Sequence, residues 1–340
     1  MGSPDKFGRQ IDGLGGGTST TSKLAIISKS KTPELAQIDY EFVQASTTLE
    51  TLDFSGNCGN ILSGVGPFAY EEGILSDLPM NGSISLNLRC LNNGQIFRST
   101  FEVKNGFPVE FGSMTVDGVS AKGSPIKLDF LRPAGSMTGS LLPTGKPINH
   151  LPVYGFEHPI EVSCVDAANP FCFITLESLL LSNETKESMK EITDLSDRVE
   201  RVRQAASLAM GITSSIESAG LKRGTPKICI VQKCNPNQQN GTISTQSWSM
   251  GTPHPALQLT GAACIVVAIH TPGTILNKLV CQSQIDGKVP FGPLRICHPA
   301  GAIEATADVV IESNGNIDVR SATLYRTARR LFKGDAYYVT

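Results

Sequence analysis

The apolar and polar positions along the chain alternate between short β-type runs bounded by turn formers and a few stretches with a helical period. Leu24-Ala25-Ile26-Ile27 and Tyr40-Glu41-Phe42-Val43 read as strands, and strand signals resume at Ile84 to Leu91, Gln95 to Val103 and Ile126 to Phe130. Asn92-Asn93-Gly94 between two of these runs predicts a hairpin turn. Ser55-Gly56-Asn57-Cys58-Gly59-Asn60, followed by small and apolar residues up to Pro67, predicts a loop feeding a short buried helix that Pro67 breaks. Apolar residues at Met189, Ile192, Leu195, Val199, Val202, Ala206 and Ala209 recur at intervals of three and four, which predicts an amphipathic helix over 185–210. Asp194 and Arg198 read as a solvated ion pair on its outer face. Lys227 to Gln232 is strand-like, and Thr260-Gly261-Ala262-Ala263-Cys264 leads into Ile265 to Ile269, a second buried helix entered through small residues.

That second helix echoes the region around Cys58 and predicts two lobes of one design, strands around a central helix with a Gly and a Cys near its start. A length of 340 residues also exceeds what one core usually serves. The Pro/Gly-rich stretch from Leu142 to Pro152 reads as the crossing between lobes. The expected division is residues 1–148 with 325–340 in the first lobe and 149–324 in the second, an α/β fold of the α+β kind.

Composition narrows the function classes. With 40% hydrophobic and 18% charged residues, 33 Gly and 20 Pro, the chain has the make-up of a turn-rich globular protein. Its formal net charge of -2 and the lack of a Lys/Arg run longer than Arg329-Arg330 argue against nucleic acid or an anionic membrane as partner. The longest apolar stretch, Ala262 to Ile269, is too short to cross a bilayer, and no leader is apparent, so a cytoplasmic protein is expected. The nine cysteines are odd in number, show no C-x-x-C spacing or paired His ligands, and read as reduced thiols, so no metal site is expected. Three glycosylation sequons, at Asn81, Asn183 and Asn240, read as ordinary turns.

Two segments carry candidate chemistry. Gly13 to Lys23 is rich in Gly, Ser and Thr but has neither a dinucleotide fingerprint nor a P-loop, because Thr18 stands where a third Gly is needed and Lys23 follows Ser22. Its backbone N–H groups and the hydroxyls of Thr18, Ser19, Thr20 and Ser22 can still donate to carboxylates beside a lysine; the plainer reading is a surface loop. Asn57-Cys58-Gly59-Asn60 at a helix start is more telling, since free N–H groups and the helix dipole stabilise negative charge on a thiolate or on a bound anion. The plainer reading there is a small buried cysteine, which is accepted for the other thiols, with Cys264 as the intermediate case. His254 and His298 read as turn residues.

Taken together, Arg9-Gln10-Ile11-Asp12-Gly13-Leu14-Gly15-Gly16 running to Thr21-Ser22-Lys23, Gly56-Asn57-Cys58-Gly59-Asn60, Pro133-Ala134-Gly135-Ser136 to Leu142-Pro143-Thr144-Gly145, Thr260 to Cys264 and His298-Pro299-Ala300-Gly301 resemble the PrpF-type 2-methylaconitate cis–trans isomerase family. Aconitate and methylitaconate Δ-isomerases and oxalomesaconate tautomerase are its relatives. The resemblance implies a diaminopimelate epimerase-like fold of two pseudo-symmetric, β-barrel-like lobes with the active site in the cleft between them. It implies an isomerase that needs no cofactor and acts on a small di- or tricarboxylate, with Lys23 and Cys58 as the catalytic pair. Thr18, Ser19, Ser22, Gly59, Asn60, Thr260, Gly261, His298 and Gly301 are the expected substrate-binding positions, and a homodimer is the oligomer to test for. Two departures stand out. The family's opening segment, which carries strands and a serine loop, has no counterpart before Met1, and Ala300 replaces a Ser common in the His-Pro-Ser-Gly turn. The rival functions are a two-base epimerase pairing Cys58 with Cys264, and an inactive polycarboxylate-binding protein.

Overall fold

The computed structural model describes residues 2–11, 13–14, 17–18, 21–54, 58–181, 195–234 and 240–337. The fold is mixed α/β and mostly sheet, and the chain divides into two compact units, Met1–Asp129 with Tyr325–Thr340, and Phe130–Leu324. The Pro/Gly-rich stretch from Leu142 to Pro152 lies within the second unit.

In the first unit β1 (Lys23–Lys29), β2 (Ile38–Ala45), β4 (Gly82–Cys90), β5 (Ile96–Lys104) and β9 (Ile126–Leu131) lie side by side in that order, with the short β3 (Leu52–Asp53) along β2 and β6 (Phe107–Pro108) along β5. A separate hairpin joins β7 (Met114–Val116) and β8 (Val119–Gly123). The β1/β2, β2/β3, β4/β5 and β5/β6 pairs run antiparallel, whereas β2 and β4 are parallel, and a parallel pair needs a crossover, which helix α1 (Gly59–Glu71) supplies. Gly59, Leu62, Ser63, Val65, Gly66 and Ala69 form its buried face, and it packs against β1, β4, β5 and β6. The helix runs through Pro67 instead of ending there. The lost N–H bond is one local cost, outweighed by the buried turn on either side.

The second unit holds β10 (Asn149–Leu151), β11 (Ile160–Ala167), β12 (Asn169–Ile174), β13 (Lys227–Gln232), β14 (Ile243–Ser249), β16 (Leu294–His298), β17 (Gly301–Ile311) and β18 (Ile317–Arg326) in that spatial order, with β15 (Thr252–Pro253) on β14; the last two residues of β18, Tyr325 and Arg326, already belong to the first unit. The β12/β13 and β14/β16 pairs are parallel, and helices again fill both crossovers. The first carries α2 (Leu195–Ala209) and α3 (Ile216–Leu221), the second α4 (Leu259–His270) and α5 (Ile275–Cys281). All of α4 from Leu259 to Ile269 is buried, packed against β11, β12 and β17. Among the described residues no single helix is long and apolar enough to span a membrane.

The helix expected over 185–210 is described from Leu195; its first half, with Met189, Ile192 and Asp194, lies outside the described residues. Val199, Val202 and Ala206 enter the core with Trp248 and Met210, but Ala209 is exposed because the helix ends there and the chain turns Met210 inward. Arg198 overturns the expectation of a solvated partner for Asp194: it is buried, and its Nη1 donates to the Leu179 carbonyl at 3.1 Å. A long guanidinium can satisfy a carbonyl that the apolar neighbours leave bare.

Candidate functional site

Lys23 is the first residue of β1, and the segment before it is held by its own side chains. Ser22 is fully buried, its Oγ 2.8 Å from Gln10 Oε1 and 2.9 Å from the Thr18 carbonyl. The Thr18 carbonyl also accepts from the backbone N–H groups of Thr21 and Ser22, which closes a turn. From the neighbouring strand, Gln44 Nε2 donates to the Ser22 carbonyl at 2.9 Å and the Ala45 carbonyl at 3.1 Å. The start of β1 is therefore pinned on both sides, so the long Lys23 side chain projects from a fixed backbone. Thr18 is exposed and lies 3.0 Å, Oγ1 to Oγ1, from Thr21. Ser19, with Thr20, Gly15, Gly16 and Asp12, lies outside the described residues.

Cys58 is the N-cap of α1 in extended backbone (φ -125, ψ 103), and no side chain caps the helix start. The cap carbonyl accepts from the Leu62 N–H at 3.2 Å. The first turn carries no acidic residue, so the positive end of the helix is uncompensated. Into this position comes Lys23: its Nζ donates to Cys58 Sγ at 3.5 Å, across 35 residues of sequence. Both side chains are partly accessible, and among the described residues no carboxylate pairs with Lys23. A lysine and a thiol in contact at a helix N-terminus are groups of the kind that can pass a proton to and from a bound molecule. Gly59 is buried in the first turn, whereas Asn60 is exposed and its Oδ1 accepts from Arg326 Nε at 3.4 Å.

In the second unit Thr260 and Gly261 occupy the first turn of α4 and are buried. A Cβ on Gly261 would come within 2.9 Å of the Phe171 ring, so the helix can lie this close to the sheet only with Gly there. His298 and Gly301 are opposite each other where β16 turns into β17, bracketing Pro299-Ala300. His298 is 7% exposed. Cys264 is fully buried and donates to the Val165 carbonyl at 3.6 Å; burial pushes its thiol well above the ordinary range. The Pro133-to-Gly145 segment is organised by Asp166, also fully buried. Its carboxylate accepts from the Ser136 and Thr138 hydroxyls and from the N–H groups of Met137 and Thr138 at 2.5–2.9 Å. All nine cysteines are free, and among the described residues no cluster of three His, Cys, Asp or Glu could hold a metal ion.

Sequence reading missed Gln44, Asp166 and Arg326. Gln44 also reaches back to Ser22, and Asp166 to Ser136, Met137 and Thr138, links for which a lone amide or carboxylate in a strand leaves no local signal. Arg326 lies 266 residues from Asn60, and nothing in the sequence joins the two.

The PrpF protein family model matches residues 1–339. A 3-methylitaconate isomerase of Eubacterium barkeri is 35% identical over 350 residues, 99% of this chain and 87% of that protein. A 2-methyl-aconitate isomerase of Cupriavidus necator is 31% identical over 349 residues, covering 98% and 86% of the two chains. The crystal structure of a methylitaconate-delta-isomerase superposes with a TM-score of 0.79 at 32% identity, covering 98% of this chain and 85% of that one. With a match over its whole length and relatives of this identity, the chain belongs to the PrpF protein family.

Proposed function

We propose that this protein is an isomerase of a small unsaturated di- or tricarboxylate of the aconitate, 2-methylaconitate or methylitaconate type, and that Lys23 and Cys58 move the proton. The observation that carries the reading is the 3.5 Å contact of Lys23 Nζ with Cys58 Sγ at the start of α1, in a chain of the PrpF family. One member of the pair takes an allylic proton from the carbon next to the carboxylate-bearing double bond, leaving a dienolate whose charge spreads into the carboxylate. The ammonium of Lys23 and the free N–H groups at Gly59 and Asn60 are suited to hold that charge. Returning the proton to the distal carbon shifts the double bond. Returning it to the original carbon after rotation about the weakened bond exchanges cis for trans.

Of the other expected ligand contacts, Thr18 and Asn60 are accessible, and Thr260, Gly261 and Gly301 would act through backbone N–H groups. Ser22, with its hydroxyl already engaged by Gln10 and Thr18, serves better to hold the loop that carries Lys23. The two-base alternative loses support, because Cys264 is sealed in its own unit with a thiol that burial keeps protonated.

The test is proton NMR in D2O with cis-aconitate, trans-aconitate, 2-methylaconitate and 3-methylitaconate, following isomer ratios and deuterium entry at the allylic carbons. Isomerisation with exchange is expected for at least one of them. Tight binding without exchange by any substrate would replace the isomerase reading with that of a binding protein.

A further inference from the structure

Arg326, the last residue of β18, stands in the same unit as Lys23 and Cys58. Its Nε donates to Asn60 Oδ1, two residues beyond Cys58 in the first turn of α1, and its Nη1 donates to the Tyr325 carbonyl at 2.9 Å. Its remaining terminal nitrogen has no partner among the described residues, and no Asp or Glu pairs with it there. Among the basic residues that follow, Arg329 is exposed, whereas Arg330 is paired with Glu71 and Glu72, and Lys333 with Glu72. Arg326 is half-buried, and loss of hydration pulls its guanidinium down to about 10. A guanidinium withdrawn from water without a counter-charge costs stability unless an anion completes it. Its fork geometry matches a carboxylate, and its neighbours here are the groups that would handle a polycarboxylate.

We propose that Arg326 binds one carboxylate of the substrate, oriented by Asn60, and that it sets the preference for tricarboxylates over dicarboxylates. The inference rests on the reading of Lys23 and Cys58 as the proton-transfer pair. It assigns Arg326 to binding and specificity and gives it no part in moving the proton. Asn60 is then a positioning residue, because its side-chain oxygen holds Nε and leaves the other face of the guanidinium for the ligand.

The test uses the full chain and its Arg326→Gln and Arg326→Lys variants, with thermal melting to show that each is folded. Calorimetry with tricarballylate, a saturated tricarboxylate that cannot be isomerised, and with glutarate, which lacks one of its carboxylates, measures binding alongside the NMR turnover assay. Arg326→Gln is expected to raise the tricarballylate Kd by about 10- to 100-fold, the effect of removing a charged hydrogen-bond partner. Its glutarate Kd should change far less, so the preference for the third carboxylate collapses. Arg326→Lys should fall between wild type and Arg326→Gln for tricarballylate, since it keeps the charge and loses the fork. Merely structural damage would weaken both ligands alike, and that result overturns the inference, as does an unchanged Kd in Arg326→Gln. If wild type turns over substrate while either of these results holds, the isomerase reading stands and only the role of Arg326 falls. If wild type binds and shows the Arg326 dependence without turnover, the carboxylate site stands and the isomerase reading fails. A wild type that neither binds nor turns over overturns both.

Discussion

At the scale of single residues, the pair at the start of α1 makes the sharpest demand. If Lys23 and Cys58 share the proton, Lys23→Ala and Cys58→Ser should each lower kcat by about 10²- to 10⁴-fold, the range for loss of a general acid or base. Both should leave tricarballylate binding within a few-fold of wild type, because the backbone groups at Gly59 and Asn60 remain. Turnover that survives in either variant would remove that residue from the mechanism. Asp39 makes a different residue-scale demand. It is buried and accepts from Ser30 Oγ at 2.8 Å and from Arg89 at 2.9 and 2.8 Å. Burial raises its carboxyl, but the Arg89 and Ser30 hydrogen bonds outweigh this, and the net effect is a lowered pKa. A group whose folded pKa is depressed stabilises the protein above its unfolded value and loses that contribution as pH falls through the folded one. The melting temperature of wild type should therefore drop as acid takes the pH below about 4, the ordinary aspartate value, and Asp39→Asn should flatten part of that drop. Equal acid profiles for the two would show that Asp39 carries none of it.

At the scale of elements, close approach of helix and sheet depends on glycine in both units. A Cβ on Gly66 of α1 would meet Ser99 Oγ at 2.6 Å and the Phe101 ring at 3.0 Å, as one on Gly261 of α4 would meet Phe171. Both positions are helical, so alanine should gain helix propensity and still lose overall. We expect Gly66→Ala and Gly261→Ala to cost about 1–3 kcal/mol each in denaturant unfolding, the usual effect of overpacking. Because α1 carries Cys58, Gly66→Ala should also reduce turnover more than it reduces stability at the assay temperature. A stabilised Gly66→Ala would mean that Ser99, buried with no hydrogen bond to its Oγ among the described residues, moves aside freely. The helices themselves were legible because their small and apolar residues come in unbroken blocks. The end of α1 was misjudged because a proline was weighed as a local stop, whereas the packing of the following turn against the sheet decided the matter.

At the scale of the whole molecule, the chain leaves the first unit near Asp129 and returns to it at Tyr325. The returning segment is fastened by charge: the Arg330 guanidinium meets Glu71 and Glu72, the Arg330 backbone N–H donates to Glu110 at 2.6 Å, and Lys333 reaches Glu72 at 2.6 Å. Beneath it is a cavity of about 520 Å³ whose apolar lining includes Phe68, Phe101, Val109 and Ile126, together with Leu331 and Phe332 of the segment itself. Deleting residues 328–337 should lower the melting temperature of the first unit and raise binding of a hydrophobic dye, as the apolar lining meets water. An unchanged melting curve would show that the segment adds nothing to folding. Its assignment to the first lobe was readable in sequence, but its fastening was not, because Glu71, Glu72 and Glu110 lie more than 200 residues away.

Local chemistry determined a good deal by itself. Alternation and turn formers set out β1, β2, β4, β5 and β13, the small-residue blocks set out α1 and α4, and the motifs around Lys23 and Cys58 carried the family resemblance. These are readable because each depends on residues within a few positions of one another. Only the tertiary structure decided that Lys23 touches Cys58, that Ser22 and Gln44 hold the strand beneath it, that Arg198 is buried, and that Arg326 rather than Arg330 is left without a carboxylate. Which basic side chain keeps an unmatched charge depends on which acids the fold brings near it, and no spacing along the chain contains that information.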